Sequence, residues 1–177
     1  MICNDVETFA AAVPAMRAIA GLDLGTRTIG VALSDRLLSS ATPLETLRRQ
    51  KFTQDAERLL ALLTTREAGA IVLGLPLNMD GSEGPRAQST RAFARNLARL
   101  TDLPILFWDE RLSTVAAERS LLAADASRAR RAQVIDHVAA SFILQGALDR
   151  LAHLRASNQV SLQDRNTRTD GLDHGQE

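Results

Sequence analysis

The chain contains few of the residues on which most disulfide, zinc and aromatic binding sites depend. Among its 177 residues there is one cysteine, Cys3, which excludes a disulfide framework and a Cys-based zinc site. The three histidines, at positions 137, 153 and 174, are too few and too scattered for a histidine-rich metal cage. With no tyrosine, one tryptophan and five phenylalanines, the sequence argues against binding of single strands by stacked aromatic side chains.

Net charge and long apolar runs are also missing. Lys plus Arg and Asp plus Glu both total 21, so bulk positive charge does not hold this protein to nucleic acid. No apolar run approaches the roughly 20 residues of a membrane span. Asp5 and Glu7 stand where a secretory signal carries positive charge. We therefore expect a cytoplasmic globular protein without a membrane partner.

The order of predicted elements indicates an α/β domain with a mixed five-stranded sheet and helices on both faces. Three strands in hairpin-like sequence are followed by alternating helices and strands, which is typical of an antiparallel edge joined to parallel crossovers. We expect a flexible arm over residues 1–16, a single domain over 17–154 and a disordered polar tail over 155–177. The predicted strands cover 18–23, 28–33, 42–47, 70–73 and 104–108, and the predicted helices cover 52–67, 86–100, 113–123 and 129–153.

Acidic residues stand at the ends of two predicted strands and on the last predicted helix. Asp23 ends the first strand, and the pair Asp109 and Glu110 ends the fifth, where one of the two can point to the same sheet face as Asp23. Asp136 begins an otherwise apolar helical stripe that continues through residues 140, 143 and 147. A buried carboxylate on such a stripe needs a partner, either an arginine or a metal ion.

Three carboxylates from three elements could converge on one site, although each also has an ordinary structural explanation as a turn residue, a solvated acid or a salt-bridge partner. A ligand set made only of oxygen favours Mg²⁺ or Mn²⁺ over zinc. Two such ions can bind the attacking and the leaving oxygen in phosphodiester hydrolysis. No Ser-His-Asp or Cys-His arrangement competes for a catalytic role.

Four segments, in order and at matching spacing, resemble the YqgF family of RNase H-like nucleases. The segments are 21–32 (GLDLGTRTIGVA), 72–81 (VLGLPLNMDG), 109–114 (DERLST) and 135–140 (IDHVAA) with 143–145 (ILQ). The resemblance covers about 18–152. Members of this family are described as pre-16S rRNA nucleases and as Holliday-junction-resolvase-like proteins.

The resemblance implies an RNase H-like fold and a metal-dependent nuclease, with Asp23, Glu110 and Asp136 as catalytic acids and metal ligands. It selects Glu110 over Asp109. Many relatives carry a lysine a few residues before the last aspartate, where this chain has Gln133, so Arg130 or Arg131 could take over a phosphate contact. Further candidate substrate-binding residues are Thr26, Arg27, Asn78 and Arg111.

Within the nuclease hypothesis two substrates remain open, the 5′ end of a 16S rRNA precursor and a four-way DNA junction. Junction cleavage also requires a symmetric dimer, for which the sequence shows no clear face, so we expect a monomer or a weak homodimer. A catalytically idle RNA-binding module on the same fold is an alternative of another class. An actin-like ATPase shares the Asp-Leu-Gly-Thr turn but needs a second domain for which this chain is too short.

Overall fold

A computed structural model describes the backbone of residues 1–112 and 128–169, and the side chains of residues 1–112 and 137–159. The described part is built on one six-stranded sheet with the strand order β1-β6-β5-β2-β3-β4. The strands are β1 (Ile2–Cys3), β2 (Ala18–Leu24), β3 (Thr28–Ser34), β4 (Ala41–Arg48), β5 (Ala68–Leu75) and β6 (Ile105–Asp109). The helices are α1 (Val6–Ala12), α2 (Phe52–Thr65), α3 (Pro85–Leu97) and α4 (Arg128–Thr169), and Glu110–Leu112 forms a 3-10 turn after β6.

The sheet is mixed, as the element order predicts. β2, β3 and β4 pair in antiparallel fashion, whereas β5 pairs in parallel with both β2 and β6. Every residue of β2 is buried, which explains its apolar sequence of small and branched side chains. The carboxyl ends of β2, β5 and β6 therefore meet at one edge of the sheet.

Two apolar layers cover the two faces of the sheet. Ile19, Val72 and Trp108 belong to the layer on the face of α1 and α4. Leu22, Leu73 and Ile105 belong to the layer on the face of α2 and α3. Because side chains alternate between faces along a strand, these layers decide where every polar residue near the sheet edge points.

The direction of α4 across the sheet follows from two contacts. His137 Nδ1 lies 2.9 Å from Thr46 Oγ1, near the carboxyl edge of β2. Two turns later, Gln145 Oε1 accepts a hydrogen bond of 2.9 Å from the Ala41 amide at the opposite end of β4. The helix therefore runs antiparallel to β2, and its earlier residues lie toward the end of the sheet that carries Asp23.

The N-terminal residues differ from the predicted flexible arm. Residues 2–3 form β1, which pairs in parallel with β6 and becomes the sixth strand, so the predicted count of five strands was one too few. Asp5 caps α1 by accepting a hydrogen bond of 2.6 Å from the Thr8 amide, and Phe9 is completely buried. The segment shows no clear sequence period because its packing depends mainly on one aromatic side chain.

The C-terminal part differs from the sequence prediction as well. α4 continues to Thr169, although the sequence analysis assigned a disordered tail from residue 155. The described side chains at 155–159 are exposed, so the loss of large apolar residues marks the end of packing and leaves the helix intact. No proline or glycine stands between residue 155 and Gly171 to interrupt the helix. The predicted helix at 113–123 lies outside the described residues.

Candidate active site

Asp23 is a buried carboxylate on the face of the sheet that α4 covers. It is 4% exposed, and it follows Ile19 and Gly21 at the alternating positions of β2 that point toward α4. On the neighbouring strands Asp23 pairs with Gly30, and Gly30 pairs with Thr46, the partner of His137. Paired residues point to one face of the sheet, so this row places the Asp23 carboxylate at the level of His137.

Glu110 approaches the same face from the other side of β5. Leu22 pairs with Leu73 on the parallel strand β5. The residues that follow them, Asp23 and Gly74, therefore lie side by side. A Cβ atom added to Gly74 would lie 2.9 Å from Glu110 Oε1 and 2.6 Å from Ile143 Cδ1. The Glu110 carboxylate therefore lies over β5, about one strand spacing (~5 Å) from the backbone of Asp23.

Asp109, the other acid of the pair, points to the opposite face. Its neighbours on alternate positions, Ile105 and Phe107, belong to the layer of α2 and α3. Arg111 donates hydrogen bonds to both carboxylate oxygens, at 3.0 Å from Nε and 2.6 Å from Nη2. These hydrogen bonds lower the pKa of Asp109 and raise that of Arg111. Arg111 thus holds Asp109, while Glu110 alone of the pair faces Asp23.

The position of Asp136 follows from the helix rather than from its side chain, which lies outside the described residues. Ala140, one turn later on the same stripe, has its carbonyl oxygen 2.8 Å from the point where a Cβ on Gly21 would lie. His137, the next residue, is level with Asp23. The backbone of α4 therefore brings position 136 toward the carboxyl edge of β2.

The two described acids suit a hard divalent cation. Both offer carboxylate oxygens, and the missing Cβ of Gly74 leaves room for the Glu110 carboxylate beside Asp23. Within the residues whose side chains are described, no group of three or more His, Cys, Asp or Glu side chains lies close enough to hold a metal ion. Asp136, the third predicted ligand, falls outside that set. Asp23 and Glu110 therefore fit as two ligands of a site that needs a third.

The remaining predicted substrate-binding residues lie around the carboxyl edge of the sheet. Thr26 and Arg27 form the exposed tip of the β2–β3 hairpin, which Gly25 closes by donating its amide hydrogen to the Thr28 carbonyl at 2.9 Å. Asn78 is exposed and closes the turn 78–82 through its amide, its carbonyl and a 2.9 Å hydrogen bond to Ser82 Oγ.

Arg111 also reaches the turn 78–82, since its Nη1 lies 3.4 Å from the Met79 carbonyl oxygen. Its contacts with Asp109 and this turn give it a structural task that the sequence analysis did not identify. Arg130 and Arg131 lie on α4, and their side chains fall outside the described residues.

Sequence reasoning missed the residues that make room for the site and orient it. The predicted strand 70–73 ends before Gly74, but Gly74 belongs to β5, and its missing side chain is what Glu110 requires. The hydrogen bond between His137 and Thr46 was also missed, because nothing in the sequence links positions 91 residues apart. The available signal in the sequence is that Gly74 directly follows the four apolar residues of the predicted strand 70–73.

A family model described as "RuvX: Holliday junction resolvase" matches residues 17–150, which is most of the chain and all the strands from β2 to β6. The chain belongs to the RuvX family. This is the family that the sequence motifs resemble under the name YqgF, so that prediction is confirmed.

Relatives of this RuvX-family chain are similar over nearly their whole length. A protein of Ruegeria sp. (strain TM1040) is 69% identical over 89% of this chain and 100% of its own. A protein of Ruegeria pomeroyi is 70% identical over 87% of this chain and 100% of its own. Both carry the name "Putative pre-16S rRNA nuclease". The chain is thus a member of a nuclease family, as predicted.

The fold of this RuvX-family chain is similar to that of a protein with little sequence identity to it. The structure titled "T. thermophilus RuvC in complex with Holliday junction substrate" superposes with a TM-score of 0.51 and 13% identity. The match covers 77% of this chain and 96% of that one. This likeness confirms the predicted RNase H-like mixed α/β class. None of the helices in the described part of the chain is long and apolar enough to cross a membrane.

Proposed function

We propose that this protein hydrolyses phosphodiester bonds of a 16S rRNA precursor, using a divalent cation held by Asp23, Glu110 and Asp136. The observation that carries the proposal is the approach of Glu110 to Gly74, beside the buried Asp23, on the face that α4 covers. An acid of β2 and an acid of the turn after β6 thus lie on one face of the sheet, where the missing Cβ of Gly74 makes room for Glu110. The names of the relatives, which cover most of this chain, support the rRNA substrate.

The chain's own residues have separable tasks in this reaction. Asp23 is buried near the end of β2, and because this strand pairs with β3 and β5, the backbone of Asp23 has a fixed position. Glu110 reaches the site from a short 3-10 turn, whose direction is fixed by the hydrogen bonds of Arg111 with Asp109. Mg²⁺ or Mn²⁺, when bound, would supply positive charge for the phosphate and lower the pKa of water.

The substrate strand would cross the carboxyl edge of the sheet. Thr26, Arg27 and Asn78 are exposed along this edge and supply donors that can meet sugar and phosphate oxygens. Arg130 and Arg131 would add charge from the start of α4. A function in rRNA maturation agrees with a cytoplasmic location, where ribosomes are assembled.

The deciding experiment is cleavage of an end-labelled 16S rRNA precursor with Mn²⁺ or with EDTA. We expect cleavage with Mn²⁺ only, and loss of nearly all cleavage in Glu110→Gln. Glu57→Gln is the matched control, because Glu57 is an exposed acid on α2, on the other face of the sheet. Equal cleavage in EDTA, or full activity of Glu110→Gln, would overturn the proposal.

A four-way DNA junction is the second candidate substrate, favoured by the description of the family model. The same acids would serve it, but paired cuts need two sites related by a twofold axis. A junction assay run beside the rRNA assay, with the mass in solution measured at the same protein concentration, separates the two. Paired junction cuts by a dimer, without rRNA cleavage, would select the second substrate.

A further inference from the structure

A groove of about 230 Å³ opens beside the strand end that carries Asp23, on the α3 side of the sheet. Leu24 and Gly25 line its start and directly follow Asp23 in the chain. The groove therefore begins within two residues of Asp23, or about 7 Å of extended backbone. Its other described lining residues are Thr26, Arg49, Pro85, Arg86, Ser89 and Thr90.

The groove is basic. Arg49 donates a hydrogen bond of 2.7 Å from Nη1 to the Gly25 carbonyl, which fixes its guanidinium beside the hairpin while other N–H groups stay available. Arg86 is exposed on the first turn of α3. None of the described residues that line the groove is acidic. Two arginines without a carboxylate between them favour an anionic ligand.

The start of α3 adds donors of the same kind. Gly84 occupies the N-cap and no side chain caps the helix, while Pro85 follows as the first helical residue. The free amides of this first turn and the helix dipole both favour a negative charge in front of the helix.

A buried hydroxyl provides an independent sign of a ligand. Thr90 is 1% exposed and lines the groove. On α2, Thr64 and Thr65 each donate to the carbonyl four residues earlier, at 2.8 and 2.9 Å. Among the described residues the Thr90 hydroxyl forms no such bond. The hydroxyl of this nearly buried side chain is therefore available to an oxygen of a ligand in the groove.

We propose that this groove binds a backbone phosphate of the nucleic-acid strand, a short way along the strand from the bond that is cleaved. The inference rests on the proposed function, since it deepens the account of how that site holds its substrate. Two guanidinium groups, a helix N-terminus and hydroxyls of Thr90 and Ser89 match the several oxygens of one phosphate group. The contact positions the strand and carries no sequence preference.

The test is binding of a short single-stranded RNA in EDTA, where no cleavage occurs, over a series of salt concentrations. Each phosphate contact adds about 0.7 to the slope of log affinity against log salt for a single strand. We expect Arg86→Gln to weaken binding about tenfold and to reduce the slope by about that amount. Arg95→Gln is the matched control, since Arg95 is exposed in the last turn of the same helix.

The experiment also includes the variant Thr90→Val and a measurement of stabilisation by inorganic phosphate. Thr90→Val keeps the size of the side chain and removes its hydroxyl, so we expect weaker RNA binding with the melting temperature nearly unchanged. An Arg86→Gln slope equal to that of Arg95→Gln would overturn the proposal. A second result would also overturn it: inorganic phosphate stabilises the wild type but not Arg86→Gln, while both proteins bind RNA with the same affinity. Because RNA binding is measured without metal, it tests the groove even if the protein does not cleave the rRNA precursor.

Discussion

Glu110 and Gly74 are so close that no larger residue fits at position 74 without moving the carboxylate. Glu110 Oε1 lies 2.9 Å from the point where a Cβ on Gly74 would be, and Ile143 Cδ1 lies 2.6 Å from it. Both atoms are far ends of flexible side chains, which can turn aside. A larger residue at position 74 would therefore displace the Glu110 carboxylate of the candidate active site without preventing the chain from folding.

Gly74→Ala should consequently reduce activity more than stability. We expect the variant to fold, with a loss of about 1–3 kcal/mol from overpacking, and to lose most of its metal-dependent cleavage. The physical reason is that Glu110 must rotate away from Asp23 to admit the methyl group. Thermal melting and the rRNA cleavage assay measure the two effects.

Gly21→Ala provides the comparison on the neighbouring strand. There the added Cβ would meet Leu144 Cβ at 2.6 Å and the Ala140 carbonyl oxygen at 2.8 Å, both fixed parts of α4. We expect a larger loss of stability than in Gly74→Ala. If Gly74→Ala kept full activity, the Glu110 carboxylate would not need its present position, and its role would be contradicted.

Asp109 and Arg111 predict a pH-dependent contribution to stability. The hydrogen bonds from Arg111 hold the pKa of Asp109 below its ordinary value. The contribution is therefore complete above the unfolded pKa of about 4 and is lost as the pH falls through the lower folded pKa. Asp109→Asn should melt a few degrees below the wild type at neutral pH, and this difference should shrink in acid. A difference that stays constant with pH would contradict the ionic origin of the contact.

Substitutions of Asp109 and of its neighbour Glu110 should have different effects on cleavage, because we expect Asp109 to support the structure and Glu110 to bind the metal ion. Asp109→Asn weakens the contact that directs the chain after β6, so it should reduce cleavage partially, and a higher concentration of Mn²⁺ should restore some activity. Glu110→Gln removes a ligand and should not be restored in this way. Equal and unrecoverable losses in both variants would place Asp109 in the site as well.

The order of strands and helices could be predicted from the sequence because β2 and β5 are buried on both faces and α2 is clearly amphipathic. The choice between Asp109 and Glu110 required the family resemblance, since a strand end alone does not reveal which face each acid takes. In the structure the alternation of Ile105, Phe107 and Asp109 supplies the physical reason.

Other features depend on contacts that span the chain and leave no local pattern. β1 has only two residues, and it exists because the backbone of Ile2 and Cys3 finds a free edge on β6. The groove beside Asp23 joins residues from β2, from the end of β4 and from α3. The pairing of β3 with β4 brings Arg49 to the groove and the start of α3 brings Arg86 there, and neither placement leaves a local pattern in the sequence.

The part of α4 beyond Leu154 should be dispensable for folding. Leu151 is 1% exposed, whereas the described side chains at 155–159 are exposed and offer little apolar area to bury. Truncation after Leu154 should leave the melting temperature and the cleavage rate nearly unchanged. A control truncation before Leu151 removes a core residue and should lower the melting temperature clearly. A drop of several degrees in the first truncation would show that the C-terminal segment packs on the domain.

Asp136→Asn should have opposite effects on stability and on catalysis. If Asp136 joins Asp23 and Glu110, three like charges at one edge repel each other without metal, and folding carries an electrostatic cost that a cation relieves. The amide removes one charge with no cavity, so the metal-free variant should melt at or above the wild type.

Metal binding completes this prediction. At about 100 times its dissociation constant, a cation that binds only the folded state adds roughly 2.7 kcal/mol. Asp136→Asn should lose most of that stabilisation and nearly all cleavage, because a neutral amide is a poor ligand for a hard cation. Glu57→Gln should respond to Mn²⁺ as the wild type does. If Asp136 instead pairs with an arginine, its substitution leaves that cation without a partner and lowers the metal-free melting temperature. That result, with cleavage retained, would remove Asp136 from the site and leave Asp23 and Glu110 without their third ligand.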